Sequence, residues 1–83
     1  MKESPSPSAT PSSADEFDAG AMGCGELVLK LKLSMAQLRP GQVLHLIALD
    51  PGAVEDIPAW CRMTQHRMVL AQHPHYWIER KAT

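Results

Sequence analysis

The side chains of this 83-residue sequence best suited to nucleophilic or metal chemistry are two thiols, Cys24 and Cys61, and four imidazoles, His45, His66, His73 and His75. Cys24 stands out for its surroundings, Met22-Gly23-Cys24-Gly25-Glu26-Leu27, which place it just ahead of what reads as the first turn of a helix. There a thiol faces free backbone N–H groups and the positive end of the helix dipole, and both favour thiolate over thiol. The flanking Gly23 and Gly25 let the backbone turn sharply and put no neighbouring side chain over the sulfur. Glu26 stabilises the helix start but, as a nearby negative charge, works against ionisation of the thiol. Cys61, between Trp60 and Arg62 on a second predicted helix, reads first as a buried packing residue and only second as a redox group. The histidines have no metal-ligand spacing with the cysteines, so neither a metal site nor a cofactor is expected. His73 and His75 flank a turn, and His45 reads as a satisfied histidine on a sheet face.

These groups sit in a chain that fits one small domain with a thin core and leaves no room for a second. The formal charge is −1, and the eight Lys and Arg residues are scattered. Neither a basic face for nucleic acid or membrane nor interleaved aromatic and basic residues are present, which disfavours both partners. Two cysteines without a CxxC pair build neither a disulfide framework nor a four-cysteine zinc site, and a reducing, cytoplasmic compartment fits best. Ser, Pro and Thr occupy the positions where a signal peptide needs an apolar run, so the protein is expected to be soluble and not exported.

Residues 1–15 are mostly Ser, Pro, Ala and Thr, too poor in large apolar groups to offset the entropy of ordering, and read as a flexible tail ahead of a domain over 16–83. Glu16 to Ala19 form a short strand with Phe17 inward. Leu29, Leu31, Leu33 and Met35 alternate with polar residues as in a strand, yet as a helix the same stretch puts Leu27, Val28, Leu31, Met35 and Leu38 on one stripe. The Leu, Lys, Met, Ala and Gln content favours helix, with an exit at Arg39-Pro40-Gly41. Leu29 and Leu33 then fall outside the stripe; on so small a domain they read as ordinary core, with a docking surface for a protein partner as the alternative. Val43 to Leu49 form a central strand. Asp50 and Pro51 serve as N-cap and first residue of a second helix with Val54, Ile57, Cys61 and Met63 or Met68 toward the core and a kink or restart at Pro58. Arg67 to Ala71 and Tyr76 to Lys81 form two strands joined through His73-Pro74-His75.

Asp18-Ala19, Cys24 after a glycine-rich turn, Leu38-Arg39-Pro40-Gly41, Asp50-Pro51, Asp56-Ile57-Pro58-Ala59-Trp60-Cys61 and Tyr76-Trp77-Ile78 together resemble the TusA (SirA-like) sulfur-transfer family, from about Phe17 to Lys81. The resemblance implies an α+β fold, a two-layer α/β sandwich in the order β-α-β-α-β-β, with a four-stranded mixed sheet packed against two helices. It also implies a sulfur carrier that holds a persulfide on Cys24, with Gly23, Gly25 and Glu26 as its surroundings and Cys61 as a secondary candidate. The implied partners are a desulfurase- or rhodanese-like donor and an acceptor protein with a reactive cysteine. Family members generally carry Cys-Pro-x-Pro, whereas here Gly25 and Leu27 replace the two prolines. The competing expectation is a member of the same fold that has lost transfer and acts as a binding or regulatory module.

Overall fold

The computed structural model describes residues 11–82 and, of Cys24, the backbone. The expected tail lies outside the described residues up to residue 10. Six elements follow in the order β1 (Asp15–Gly20), α1 (Cys24–Ala36), β2 (Val43–Ala48), α2 (Ala53–Thr64), β3 (Arg67–Gln72) and β4 (His75–Glu79). The first strand takes in Asp15, and the Ala14 N–H already donates to the Val43 carbonyl (2.8 Å).

The sheet order is β1-β2-β4-β3, with β1 parallel to β2 and β4 antiparallel to both of its neighbours. The two strand-helix units therefore run the same way, and the last hairpin turns back to insert β4 between β2 and β3. Strand alternation then divides the residues cleanly. Leu44, Leu46, Ala48, Tyr76 and Ile78 point to the helices and are buried, with Ala19 from β1 joining them. Phe17 and Met68 pack against this cluster at its edges, as their inward positions require.

Helix α1 supplies Leu27, Leu31 and Met35 to the core, and Leu38, just past its C-cap, completes the stripe expected from the sequence, with Val28 at its margin. Leu29 and Leu33 do not join it: they are 58% and 56% exposed, which corrects the reading of both as core. Gly41 closes the exit from this helix at φ +87°, a backbone conformation that costs an L side chain about 1–2 kcal/mol.

The second helix departs from expectation at both ends. Asp50 is not its N-cap; the Asp50 carboxylate accepts the Gly52 N–H (3.1 Å), and the Asp50 carbonyl accepts that of Ala53 (3.0 Å), forming a turn that delivers the chain to Gly52, the N-cap. Within the helix Ala53, Ile57, Trp60 and Cys61 face the core. Val54 and Met63 lie outside, 51% and 76% exposed, and Met68 belongs to β3. No restart occurs at Pro58: the helix is continuous through it. Gln65 ends it in the left-handed conformation.

Candidate functional site

The start of α1 is fixed from both sides. After β1, Gly20 takes φ +56° and the Met22 N–H returns to the Ala19 carbonyl (3.0 Å), so the chain reverses within three residues. The Leu49 N–H donates to the Gly20 carbonyl (2.8 Å) and ties this turn to the end of β2. Gly23 is the N-cap in extended conformation, and its carbonyl accepts the Leu27 N–H (2.8 Å), the first intrahelical bond. Cys24 is thus the first residue of the helix, one position further in than the sequence suggested.

At such a terminus the N–H groups of the first turn have no intrahelical partner. Gly23 has no side chain to satisfy them, and no side-chain cap is formed. Gly25 and Glu26 are exposed, and the space where a Cβ would stand on Gly23 or on Gly25 is open to at least 4 Å. Gly23, Cys24, Gly25 and Glu26 therefore form one contiguous, uncapped helix start. Leu27, by contrast, is 1% exposed: where the usual motif has its second proline, this chain has a core side chain.

Cys61 occupies a different setting, buried in the core on α2. Burial raises its thiol to about pKa 11, with the neighbouring Arg62 only partly opposing the shift. A thiol so placed is protonated and shielded at neutral pH, as a packing residue is. It shares no element with Cys24.

Among the described residues no three His, Cys, Asp or Glu side chains converge as metal ligands. His73 Nδ1 meets the Tyr76 hydroxyl at 2.5 Å, and His66 Nδ1 accepts the Lys81 N–H at 3.0 Å. His45 is satisfied on the sheet face as expected, but in a network the sequence reading missed, involving Glu16, His75 and Trp77. The signal was the alternation of β2, which turns His45 away from Leu44 and Leu46 and toward its cross-strand neighbours. A cleft of about 610 Å³ opens elsewhere, between the C-terminal ends of α1 and α2, lined among others by Lys32, Trp60, Met63, His66, Arg80 and Lys81. It does not include the start of α1.

A family model described as Sulfurtransferase TusA matches residues 15–79, from the first residue of β1 to the last of β4. The chain belongs to the TusA family. The Sulfur carrier protein TusA of Pseudomonas paraeruginosa (strain DSM 24068 / PA7) is 38% identical over 70 residues, which span 80% of this chain and 89% of that protein. That of Pseudomonas putida (strain W619) is 35% identical over 70 residues, 80% of this chain and 88% of that protein. The Sulfur carrier protein TusA of Allochromatium vinosum is 37% identical over 54 residues, 65% of this chain and 71% of that protein. The family match therefore covers all six elements of the fold. No helix among the described residues is long and apolar enough to cross a membrane.

Proposed function

We propose that this TusA-family protein carries sulfur as a persulfide on Cys24. In the loading step the Cys24 thiolate attacks the terminal sulfur of a persulfide on a donor protein; the donor's S–S bond breaks, its cysteine leaves as thiolate, and one sulfur atom has moved. A thiolate on an acceptor protein reverses the same chemistry on the Cys24 persulfide. No metal or cofactor enters either step, and the proposed setting is the reducing cytoplasm, with a desulfurase- or rhodanese-like donor.

The observation that carries this reading is the placement of Cys24 at the first position of an uncapped helix whose N-terminal turn is flanked by glycines. The unpartnered N–H groups of that turn and the helix dipole stabilise an anionic sulfur. With Gly25 in place of a proline the turn gains one N–H donor and loses the fixed φ that proline would impose. Leu27 offsets some of that loosening by anchoring the first turn in the core. Cys61, buried and protonated, is assigned to packing.

Incubation of the reduced protein with a sulfane-sulfur donor, followed by intact-mass measurement, tests the assignment. The expected result is a gain of one sulfur atom per chain that Cys24→Ser abolishes and Cys61→Ser preserves. No gain with any donor, together with a partner complex that survives Cys24→Ser, would instead identify a binding or regulatory member of the fold.

A further inference from the structure

The cleft between the C-terminal ends of α1 and α2 takes no part in the sulfur chemistry, and its lining has a character of its own. Lys32 from α1, His66 from the α2–β3 connection, and Arg80 and Lys81 after β4 reach it, and no carboxylate does. Cations scattered along the sequence are thus gathered on three sides of one opening. Arg80 donates to the carbonyls of Ala36 and Leu38, so its charge meets no anion there, while the negative end of the α1 dipole is covered. The Trp60 carbonyl near the end of α2 is satisfied as well, by the Thr64 hydroxyl (2.8 Å). Glu79, the acid next to Arg80 in sequence, is held by Arg67 (2.8 Å). The interior is apolar: Met35 and Trp60, 1% and 6% exposed, form the floor, and Met63 stands at the rim. His66 Nδ1 accepts the Lys81 backbone N–H, which places the proton of the neutral imidazole on Nε2, a donor without a partner among the described residues. Burial, and after it the charges of Lys81 and Arg80, lower the pKa of His66, so the imidazole already feels the positive potential that collects here.

We propose that this cleft binds a small phosphate monoester with an apolar body, its head held by Lys32, Lys81 and the His66 Nε2–H and its body lying against Met63 and the edge of Trp60. Three features support this. A phosphate monoester carries nearly two negative charges at neutral pH and three strong acceptor oxygens, which suit a lining of three cations and one N–H donor with no acid to compete. The volume, about 610 Å³, lies within the range of about 300–1,000 Å³ in which small-molecule sites fall. A bare inorganic anion would leave most of that space, and the apolar floor, unfilled. Recognition here is therefore expected to need both parts of the ligand, the charge and the apolar body.

Phenyl phosphate is the probe, and NMR titration of the full-length protein at neutral pH is the measurement. The expected result is a saturable displacement of the His66 ring and Trp60 indole resonances, with the pKa of His66 rising because a bound dianion favours the imidazolium. Lys32→Gln and Lys81→Gln should each weaken binding by about fivefold, the upper end for a solvent-exposed ion pair. Both lysines are exposed, so neither substitution disturbs the core. Inorganic phosphate should bind more weakly than the probe, and phenol, which lacks the charge, should leave His66 unmoved. The proposal is overturned if millimolar phenyl phosphate gives no saturable displacement, or if both lysine variants bind it as the wild type does. It is equally overturned if phenol binds as well as the probe, or if inorganic phosphate does, which would mark an adventitious ion only. Sulfur loading of Cys24 is read separately by mass, so failure of one assignment leaves the other standing.

Discussion

His66 shows how a single side chain in this fold sets a pH dependence. Its Nδ1 accepts the Lys81 backbone N–H, its ring lies against Trp60, and burial holds its pKa below the usual 6.5, helped by the charges of Lys81 and Arg80. The unfolded chain therefore binds a proton at this position more readily than the folded one, and stability rises with pH across the interval between the two pKa values. The contribution of His66 is fully present above about pH 6.5, the unfolded value, and is lost as pH falls through the folded value. Replacement by glutamine retains an acceptor for the Lys81 N–H without the titration. Urea denaturation at pH 7.5, 6.0 and 5.0 should accordingly show the wild type losing stability more steeply than His66→Gln. Parallel curves for the two proteins would show that the imidazole does not contribute. At the same scale, Cys61 reads as packing from its place between Trp60 and Arg62 and from the core-facing row it shares with Ile57, and its burial agrees with that reading. The Glu16–His45–His75 network is not legible in the sequence because its members are far apart in it and meet only through strand register.

At the scale of the element, helix ends decide more than helix interiors. Gln65 closes α2 at φ 68°, ψ 17°, a conformation that costs a residue with a Cβ about 1–2 kcal/mol and costs glycine little. Gln65 is exposed, so its side chain contributes little packing to offset that cost. Gln65→Gly should raise stability by about 1 kcal/mol, read as an upward shift of the thermal midpoint, and an unchanged or lowered midpoint would contradict this. The N-terminus of the same helix shows where sequence reading stops. Asp50-Pro51 carries the composition of a cap and first turn, yet the chain uses Asp50 to close a turn onto Gly52 and Ala53. Both arrangements satisfy the same donors, and only packing chooses between them. Packing also sets which face of the helix is covered, leaving Val54 outside and Trp60 inside. Pro58 is tolerated without a restart because the flanking Ile57, Trp60 and Cys61 are held by the core.

For the whole molecule the deciding fact is that one sheet face is covered and the helices have one covered face each. That distribution is legible for β2, whose apolar run marks a central strand, and for the stripe Leu27, Leu31 and Met35 on α1 with Leu38 just beyond its end. It is not legible for Leu29 and Leu33, whose hydrophobicity suggests core, and the reason is geometric. Residues two apart in a helix are separated by about 200°, so a period-two row such as Leu29, Leu31, Leu33 and Met35 cannot lie on one side. Once the stretch is helical, Leu31 and Met35 go inward and Leu29 and Leu33 are forced toward solvent, whatever their hydrophobicity. These two leucines therefore contribute almost nothing to folding, whereas Leu31, fully buried, contributes as a core residue. The double substitution Leu29→Lys with Leu33→Lys should change unfolding free energy by no more than about 1 kcal/mol, since surface substitutions are usually within about 0.5 kcal/mol each. Leu31→Ala should cost about 2–5 kcal/mol, the range for emptying a buried leucine site. Chemical denaturation of the two variants beside the wild type makes the comparison directly. A double-lysine protein destabilised as severely as Leu31→Ala would place these leucines inside the fold and require α1 to be rotated on the sheet. That rotation would move the core side chain of Leu27 as well, and with it the first turn on which the proposed persulfide chemistry depends.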